Sequence, residues 1–252
     1  MWGARARDWA EVGEPTTKPL FLAVLDALKV ASGTRYLDVG CGAGLAGVLA
    51  HERGAIVTGI DASEALIAIA RERLPQADLR AGEMESLPYA DGSFDAVTGF
   101  NSFQFAADRV RALVEARRVT KKGGLLGFGV WGLPEQCQAM GVMAAFRPFL
   151  PPPPAGAKEN VPLAKPGVLD DLLRSAGWEP TASGEVDCPF VHRDLAMAMR
   201  VFMSAGGLSL KITALESEVA AALEKALAPF RTNDGGYRLE NRFIYRVCAN
   251  GA

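Results

Sequence analysis

Apolar and polar positions along the chain fall into two rhythms. Short apolar runs at Tyr36–Val39, Ala55–Ile60, Phe94–Gly99 and Gly124–Val130 predict buried strands, and a briefer one spans Asp78–Ala81. Between them, apolar residues recur at helical spacing. Leu22, Leu25 and Leu28 form such a stripe in a helix predicted over Pro19–Val30. Further helices are predicted at Leu45–Arg53, from the N-cap Ser63 to about Arg73 before Pro75, and at Arg109–Arg118. Strand alternating with helix predicts an α/β fold around a parallel sheet.

Beyond Leu133 the rhythm loosens. Gln136–Phe149 reads as helical and Pro151–Pro154 as a rigid extended link. Val168–Ala176 is a helix ended by Gly177. Trp178–Val191 is a strand region interrupted at Ser183-Gly184, followed by helices at Asp194–Ala205 and Ile212–Ala228. After a turn at Asp234–Tyr237, Arg238–Ala249 alternates as one long strand.

Composition narrows the class. The 252 residues, nearly half hydrophobic, are enough for one large domain with an inserted cap. A formal charge of −2 argues against a nucleic-acid-binding face. Cys41, Cys137, Cys188 and Cys248 are scattered with no CxxC pair, so neither a disulfide framework nor a metal site is expected. No apolar run reaches the length of a membrane span, and the N-terminus has no apolar signal region. These features predict a cytoplasmic protein.

The candidate chemistry sits at Arg35–Ala62, a strand, a turn Gly40-Cys41-Gly42-Ala43-Gly44, a helix, a second strand, and Asp61 at its end. Glycines let the chain turn sharply and bring bare backbone close to a ligand. The helix N-terminus presents free N–H groups. A carboxylate at the end of the second strand can accept hydrogen bonds from both hydroxyls of a ribose. Together they predict a nucleoside-bearing cofactor. Gly42-Ala43-Gly44-Leu45-Ala46-Gly47 also fits GxGxxG, the dinucleotide fingerprint. Against that reading, Gly40 already holds the strand end, and Asp38 lies inside an otherwise apolar strand. A buried carboxylate is costly unless hydrogen-bonded, so Asp38 either holds the glycine loop's backbone or meets an ammonium group.

The string Asp38-x-Gly40-x-Gly42-x-Gly44 resembles the first motif of the class I S-adenosylmethionine (SAM) methyltransferases. Gly82-Glu83-Met84, Asp91-Gly92-Ser93-Phe94-Asp95-Ala96-Val97 and Arg118–Gly124 follow in the order of that family's later motifs. The likeness runs from about Leu20 to Trp131 and is strongest to the methyltransferase type 11 group, which includes ubiquinone/menaquinone-type enzymes. It implies a Rossmann-like, seven-stranded, mostly parallel sheet with helices on both faces, an antiparallel last strand and a helical cap. The whole chain, 1–252, would be one domain with an N-terminal arm 1–18 and cap-forming insertions at about 133–165 and 192–232.

The resemblance also assigns roles. Gly40, Cys41 and Gly42 would pack on the methionine part of SAM, and Asp61 with Ala62 would face the ribose. Gly82 and Glu83 would meet the adenine amino group, where most relatives carry Asp, and the Met84 backbone a ring nitrogen. Asn101 and Phe103, just beyond the fourth strand, are candidates for contact with SAM or the substrate. Trp9 and Thr16 or Thr17 would line the cofactor if the arm folds over it. Otherwise Trp2 and Trp9 simply pack the arm.

A small, apolar or aromatic acceptor follows from the Met- and Phe-rich elements, since such surfaces adapt to varied apolar ligands. The helix bearing Leu195, Met197, Met199, Val201, Phe202 and Met203 is a core helix by default and a substrate lid by its position. SAM arrives with its methyl already activated, so position and a dry site are the main needs. If the acceptor must lose a proton, His192 is the nearest candidate base, ahead of Tyr89, Tyr237 and Glu14. Two alternatives stay open. One is a nicotinamide-dependent oxidoreductase, for which no Tyr-x-x-x-Lys pair is recognisable. The other is a non-catalytic SAM-binding regulator.

Overall fold

The computed structural model describes residues 3–150, 161–205 and 216–251. The chain begins as a helical arm: α1 (Ala6–Asp8), a π-helical turn (Trp9–Gly13) and a 3-10 turn (Glu14–Thr17). Then come α2 (Lys18–Ala27), β1 (Arg35–Val39), α3 (Leu45–His51), β2 (Ile56–Asp61), α4 (Glu64–Arg73), β3 (Asp78–Ala81), β4 (Phe94–Phe100), α5 (Arg109–Val119) and β5 (Thr120–Trp131). The later elements are α6 (Gln138–Ala144), α7 (Val168–Ser175), β6 (Glu179–Asp187), β7 (Phe190–His192), α8 (Leu195–Ser204), α9 (Glu216–Leu227), β8 (Tyr237–Leu239) and β9 (Arg242–Ala249).

Seven strands form one sheet in the order β3-β2-β1-β4-β5-β9-β6. β1 to β5 pair in parallel, and β9 runs antiparallel between β5 and β6. This is the Rossmann-like, mostly parallel sheet with one antiparallel strand that the motifs imply. From β1 the order runs one way to β3 and the other way through β4. That switch point opens a crevice beyond the strand ends.

Both faces are covered, as a parallel sheet requires. On one face α2 lies across β5 because two glycines make room for it. A Cβ at Gly127 would sit 2.5 Å from Val24, and one at Gly129 would sit 2.9 Å from Leu20. On the other face α5 and α7 pack with Trp178, which is fully buried and donates its indole N–H to the Leu113 carbonyl at 2.9 Å. Local capping sets several helix starts. Ser63, Asp108 and Asp194 each accept from the backbone N–H three residues on.

The sequence reading needs correction in its second half. β6 runs unbroken through Ser183 and Gly184, which pair with Arg246 and Tyr245. Gly184 is a packing glycine, because a Cβ there would meet the Tyr245 ring at 2.4 Å. The interruption falls at Cys188-Pro189 instead. The predicted strand Arg238–Ala249 breaks at Glu240-Asn241. Its first part, β8, pairs with β7 in a separate ribbon, and its second part is β9. Asn241 is buried at the break, where it accepts from the Ala139 N–H and donates to the Leu239 carbonyl. Trp131 turns inward between Phe190 and Phe243. Trp2, Pro151–Pro154 and the start of the helix read at Ile212–Ala228 lie outside the described residues.

Candidate active site

Three glycines shape the turn after β1. Gly40, Gly42 and Gly44 have φ of +74°, +56° and +87°, a region that disfavours side chains. The N–H groups of Gly40 and Cys41 both donate to the Ile60 carbonyl, which ties the turn to β2. A Cβ at Gly40 would lie 2.3 Å from the Ser102 Cβ, so no side chain fits there.

Asp61, the last residue of β2, fixes the turn from the other side. One carboxylate oxygen accepts from the Gly42 N–H at 2.9 Å and the other from the Ser63 N–H at 2.8 Å. Burial raises its pKa against those two bonds, and the charge of Glu83 raises it further. Gly82 donates its N–H to the Asp61 carbonyl. Glu83 and Ala62 are exposed beside it, and Met84 is half-buried. Gly40, the Cys41 backbone, Gly42, Asp61, Ala62, Gly82 and Glu83 therefore lie side by side beyond the ends of β1, β2 and β3.

Asp38 does not hold the glycine loop. Its carboxylate accepts from the Thr98 hydroxyl at 2.8 Å. Tyr36 and Thr98 stand 2.6 Å apart, and Thr98 has spent its one hydrogen on Asp38, so Tyr36 donates to Thr98. The chain Tyr36–Thr98–Asp38 is buried. Burial pushes the Asp38 carboxyl up to about 7, the Thr98 bond works against this, and the nearby Glu14 and Asp61 charges add to it.

The arm folds onto the turn. A Cβ at Gly42 would lie 3.3 Å from a Glu14 carboxylate oxygen and 3.6 Å from the Trp9 indole nitrogen. Glu14 is 4% exposed, accepts from the Leu45 N–H at 3.3 Å and pairs with Arg73 at 2.5 Å. Arg73 also donates to the carbonyls of Ala43 and Ala10, so one guanidinium clips arm, turn and α4 together. Burial is the main influence on Glu14 and raises its pKa, while Arg73 draws it back down. The sequence carried no local sign of this clip, because its partners stand 59 residues apart.

Other candidates face elsewhere. Thr17 is buried and donates its hydroxyl to the Glu14 carbonyl. Asn101 accepts from the Trp131 N–H and has φ +50°, so its side chain serves β5. Phe103 is fully buried under Gly99 and edge-on to Phe128, within the core. Cys41 is buried against Gly59, and burial pushes its thiol well up, as expected of an inert residue. His192 lies on β7, in the separate two-stranded ribbon. Ser102, which the sequence reading did not single out, is buried against Gly40 with no hydrogen-bond partner for its hydroxyl.

The fold and this site define a class I SAM-dependent methyltransferase. Residues 37–128 match the family described as Methyltransferase domain. A 27-O-demethylrifamycin SV methyltransferase of Amycolatopsis mediterranei is 31% identical over 92% of this chain and 85% of its own length. The chain belongs to this family. An uncharacterised Mycobacterium tuberculosis protein is 32% identical over 69% of the chain, and a demethylmenaquinone methyltransferase of Renibacterium salmoninarum is 38% identical over 41%. The matches span only 64% and 44% of those two proteins. Among solved structures, the cyclase SpnF superposes with a TM-score of 0.60 at 22% identity, covering 92% of this chain and 81% of its own. No helix among the described residues is long and apolar enough to cross a membrane.

Proposed function

We propose that this protein transfers the methyl group of SAM to a small, apolar or aromatic metabolite. The observation that carries this reading is the charge balance of the glycine turn. Glu14, Asp38 and Asp61 surround it, and the Arg73 guanidinium answers only Glu14 directly. Such a site favours a ligand bearing positive charge, and SAM, with an ammonium and a sulfonium against one carboxylate, is net positive. The bare glycine backbone and the unpartnered Ser102 hydroxyl offer further polar contacts. A nicotinamide dinucleotide carries a pyrophosphate, which the net negative charge of Asp61 and the ionised fraction of Asp38 would repel.

SAM supplies the activated methyl, and the chain supplies position and dryness. Asp61 would accept from the ribose hydroxyls, Glu83 from the adenine amino group, and the Met84 N–H would meet a ring nitrogen. Trp9 and Glu14 on the arm would close over the methionine end. Domain organisation follows the same reading: one domain over 1–252, an arm at 1–18 and caps at about 133–165 and 192–232. The relative aligned along most of its length is named for an O-methylation, which favours a hydroxyl acceptor. Fold alone does not fix the reaction, since a cyclase shares it. The formal charge of −2 supports a small-molecule enzyme over one acting on nucleic acid.

The test is a thermal shift with SAM, S-adenosylhomocysteine, NADH and NADPH. A ligand at about a hundred times its dissociation constant adds about 2.7 kcal/mol, which in a chain of this size is on the order of 5–10 °C. The expected result is a shift with the two adenosyl ligands alone. A shift with a nicotinamide nucleotide alone would overturn the reading.

A further inference from the structure

A cavity of about 400 Å³ lies between the arm and the β7–β8 ribbon. Val12, Pro15, Pro19, Val191 and Met197 make its walls mostly apolar. Chain neighbours of its wall residues pack at the carboxyl ends of β4 and β5. Pro19 leads into Leu20 and Phe21, which pack on Gly129 and Phe100. Pro189, also in the wall, leads into Phe190, whose ring meets Trp131 at the end of β5.

The polar groups of the wall are spent on the protein, with one exception. Glu11 pairs with Arg200, Arg193 with Asp194, and the Thr16 hydroxyl donates to the Gly13 carbonyl. His192 is 5% exposed, and its Nε2 has no hydrogen-bond partner. A buried polar atom without a partner costs on the order of 1–3 kcal/mol, so its persistence in a cavity wall points to a ligand. Burial lowers the imidazole pKa and Asp194 opposes this, so the balance favours the neutral ring. Volume and lining fit a small, mostly apolar molecule with one convergent polar group.

We propose that this cavity is the acceptor site, that the acceptor is an apolar or aromatic hydroxyl compound, and that His192 is the base receiving its proton. The proposal rests on the methyl-transfer reading of the crevice. The hydroxyl proton passes to His192 Nε2 as the oxygen bonds to the methyl carbon. The carbon–sulfur electrons stay on sulfur, which becomes a neutral thioether, and the imidazolium then returns its proton to solvent. An ether product has no proton for Nε2 and leaves.

The chain has only two histidines, and His51 is exposed at the C-terminal end of α3, which makes it an internal reference. The experiment labels the full chain with ¹⁵N-histidine and follows both imidazoles by NMR during titration with 2-naphthol and with 2-methoxynaphthalene. The expected result is that 2-naphthol moves the His192 signals and spares His51, while the ether binds at least about tenfold more weakly. His192→Gln should weaken 2-naphthol by about tenfold, the scale of one hydrogen bond. Val191→Trp, at an exposed position on the rim, should block it. Silent His192 signals, or equal affinity for naphthol and ether, would overturn the proposal. SAM calorimetry on the same sample separates the two readings. SAM binding with silent His192 sinks the cavity alone, whereas a responsive His192 without SAM binding sinks methyl transfer and leaves a hydroxyl-binding site.

Discussion

Around the glycine turn, the buried carboxylates of Glu14 and Asp38 and the half-buried one of Asp61 are held by backbone amides, a threonine and one guanidinium. Beside β7, a single unpartnered imidazole faces prolines, valines and a methionine. The first region is polar, charged and almost fully satisfied within the protein. The second is apolar, with one open position. Under the proposed function the difference matches two kinds of ligand. A cation that every turnover requires is met by preset geometry and negative charge. A variable organic acceptor is met by shape, with one polar group to orient it. Rigidity should therefore concentrate at the turn and tolerance at the cavity.

The largest test of that contrast is Gly40→Ala. The new Cβ would combine a left-handed φ with a 2.3 Å approach to Ser102. Strain and overpacking together predict a loss of roughly 3–4 kcal/mol, read from the midpoint of urea unfolding. Val191→Ala at the cavity rim, an exposed position, should stay within about 0.5 kcal/mol. Similar losses at both positions would erase the distinction.

Asp38→Asn comes next, and here the turn should gain stability. The folded carboxyl titrates at about 7, well above its unfolded value. The native state therefore binds more protons between about pH 4 and 7, and stability falls as pH rises through that window. The neutral amide removes this penalty. The expected gain at pH 8 is roughly 2–4 kcal/mol by linkage, together with weaker SAM binding. His192 has the opposite sign. Its folded pKa is depressed, so its contribution is present above about 6.5 and is lost as pH falls toward the folded value. In the Asp38→Asn background the gain in stability on acidification from about pH 7 to 4 should therefore be smaller than in the parent. Identical pH–stability profiles for parent and variant would show that Asp38 is not buried as charge.

Asp61→Ala should weaken SAM by about a hundredfold in titration calorimetry, since charge-assisted hydrogen bonds contribute about 1.5–3 kcal/mol each. It also frees the Gly42 and Ser63 amides, so unfolding must be recorded alongside binding. An unchanged SAM affinity in a folded variant would remove Asp61 from the ribose assignment.

How legible each region was follows from how its parts are spaced. The strand, turn, helix and second strand up to Asp61 lie within about thirty consecutive positions, where each glycine and the Ser63 cap has a local cause. The parallel core was readable for the same reason. The partner of Asp38 was not, because Thr98 stands on a neighbouring strand 60 residues away. Gly184 looked like a breaker until Tyr245 showed why a side chain is excluded. The strand over Arg238–Ala249 kept its alternation while changing sheets, since periodicity records which face is buried and not which strand lies alongside. The cavity is built from segments near positions 11–19 and 189–197, so only the tertiary fold brings its walls together.

The smallest predicted effect tests whether the two regions act on each other through the arm. Arg200 on α8 reaches across to Asp8 at 2.7 Å and Glu11 at 2.6 Å, tying α8 to the arm that lies on the glycine turn. All three side chains are partly exposed, so screening keeps the stability change on Arg200→Ala to about 1 kcal/mol or less. The buried clip is different. Arg73→Ala would leave Glu14, 4% exposed, without its countercharge, and should cost on the order of 3 kcal/mol. If the arm is a lid hinged between these contacts, Arg200→Ala should weaken SAM only a few-fold, and more so at low salt, where the ion pair is strongest. A salt-independent loss would mean that Arg200 acts by packing its stem against the arm. No loss at all would mean that Glu14 and Arg73 alone hold the arm over the turn, and that α8 can move without releasing the cofactor.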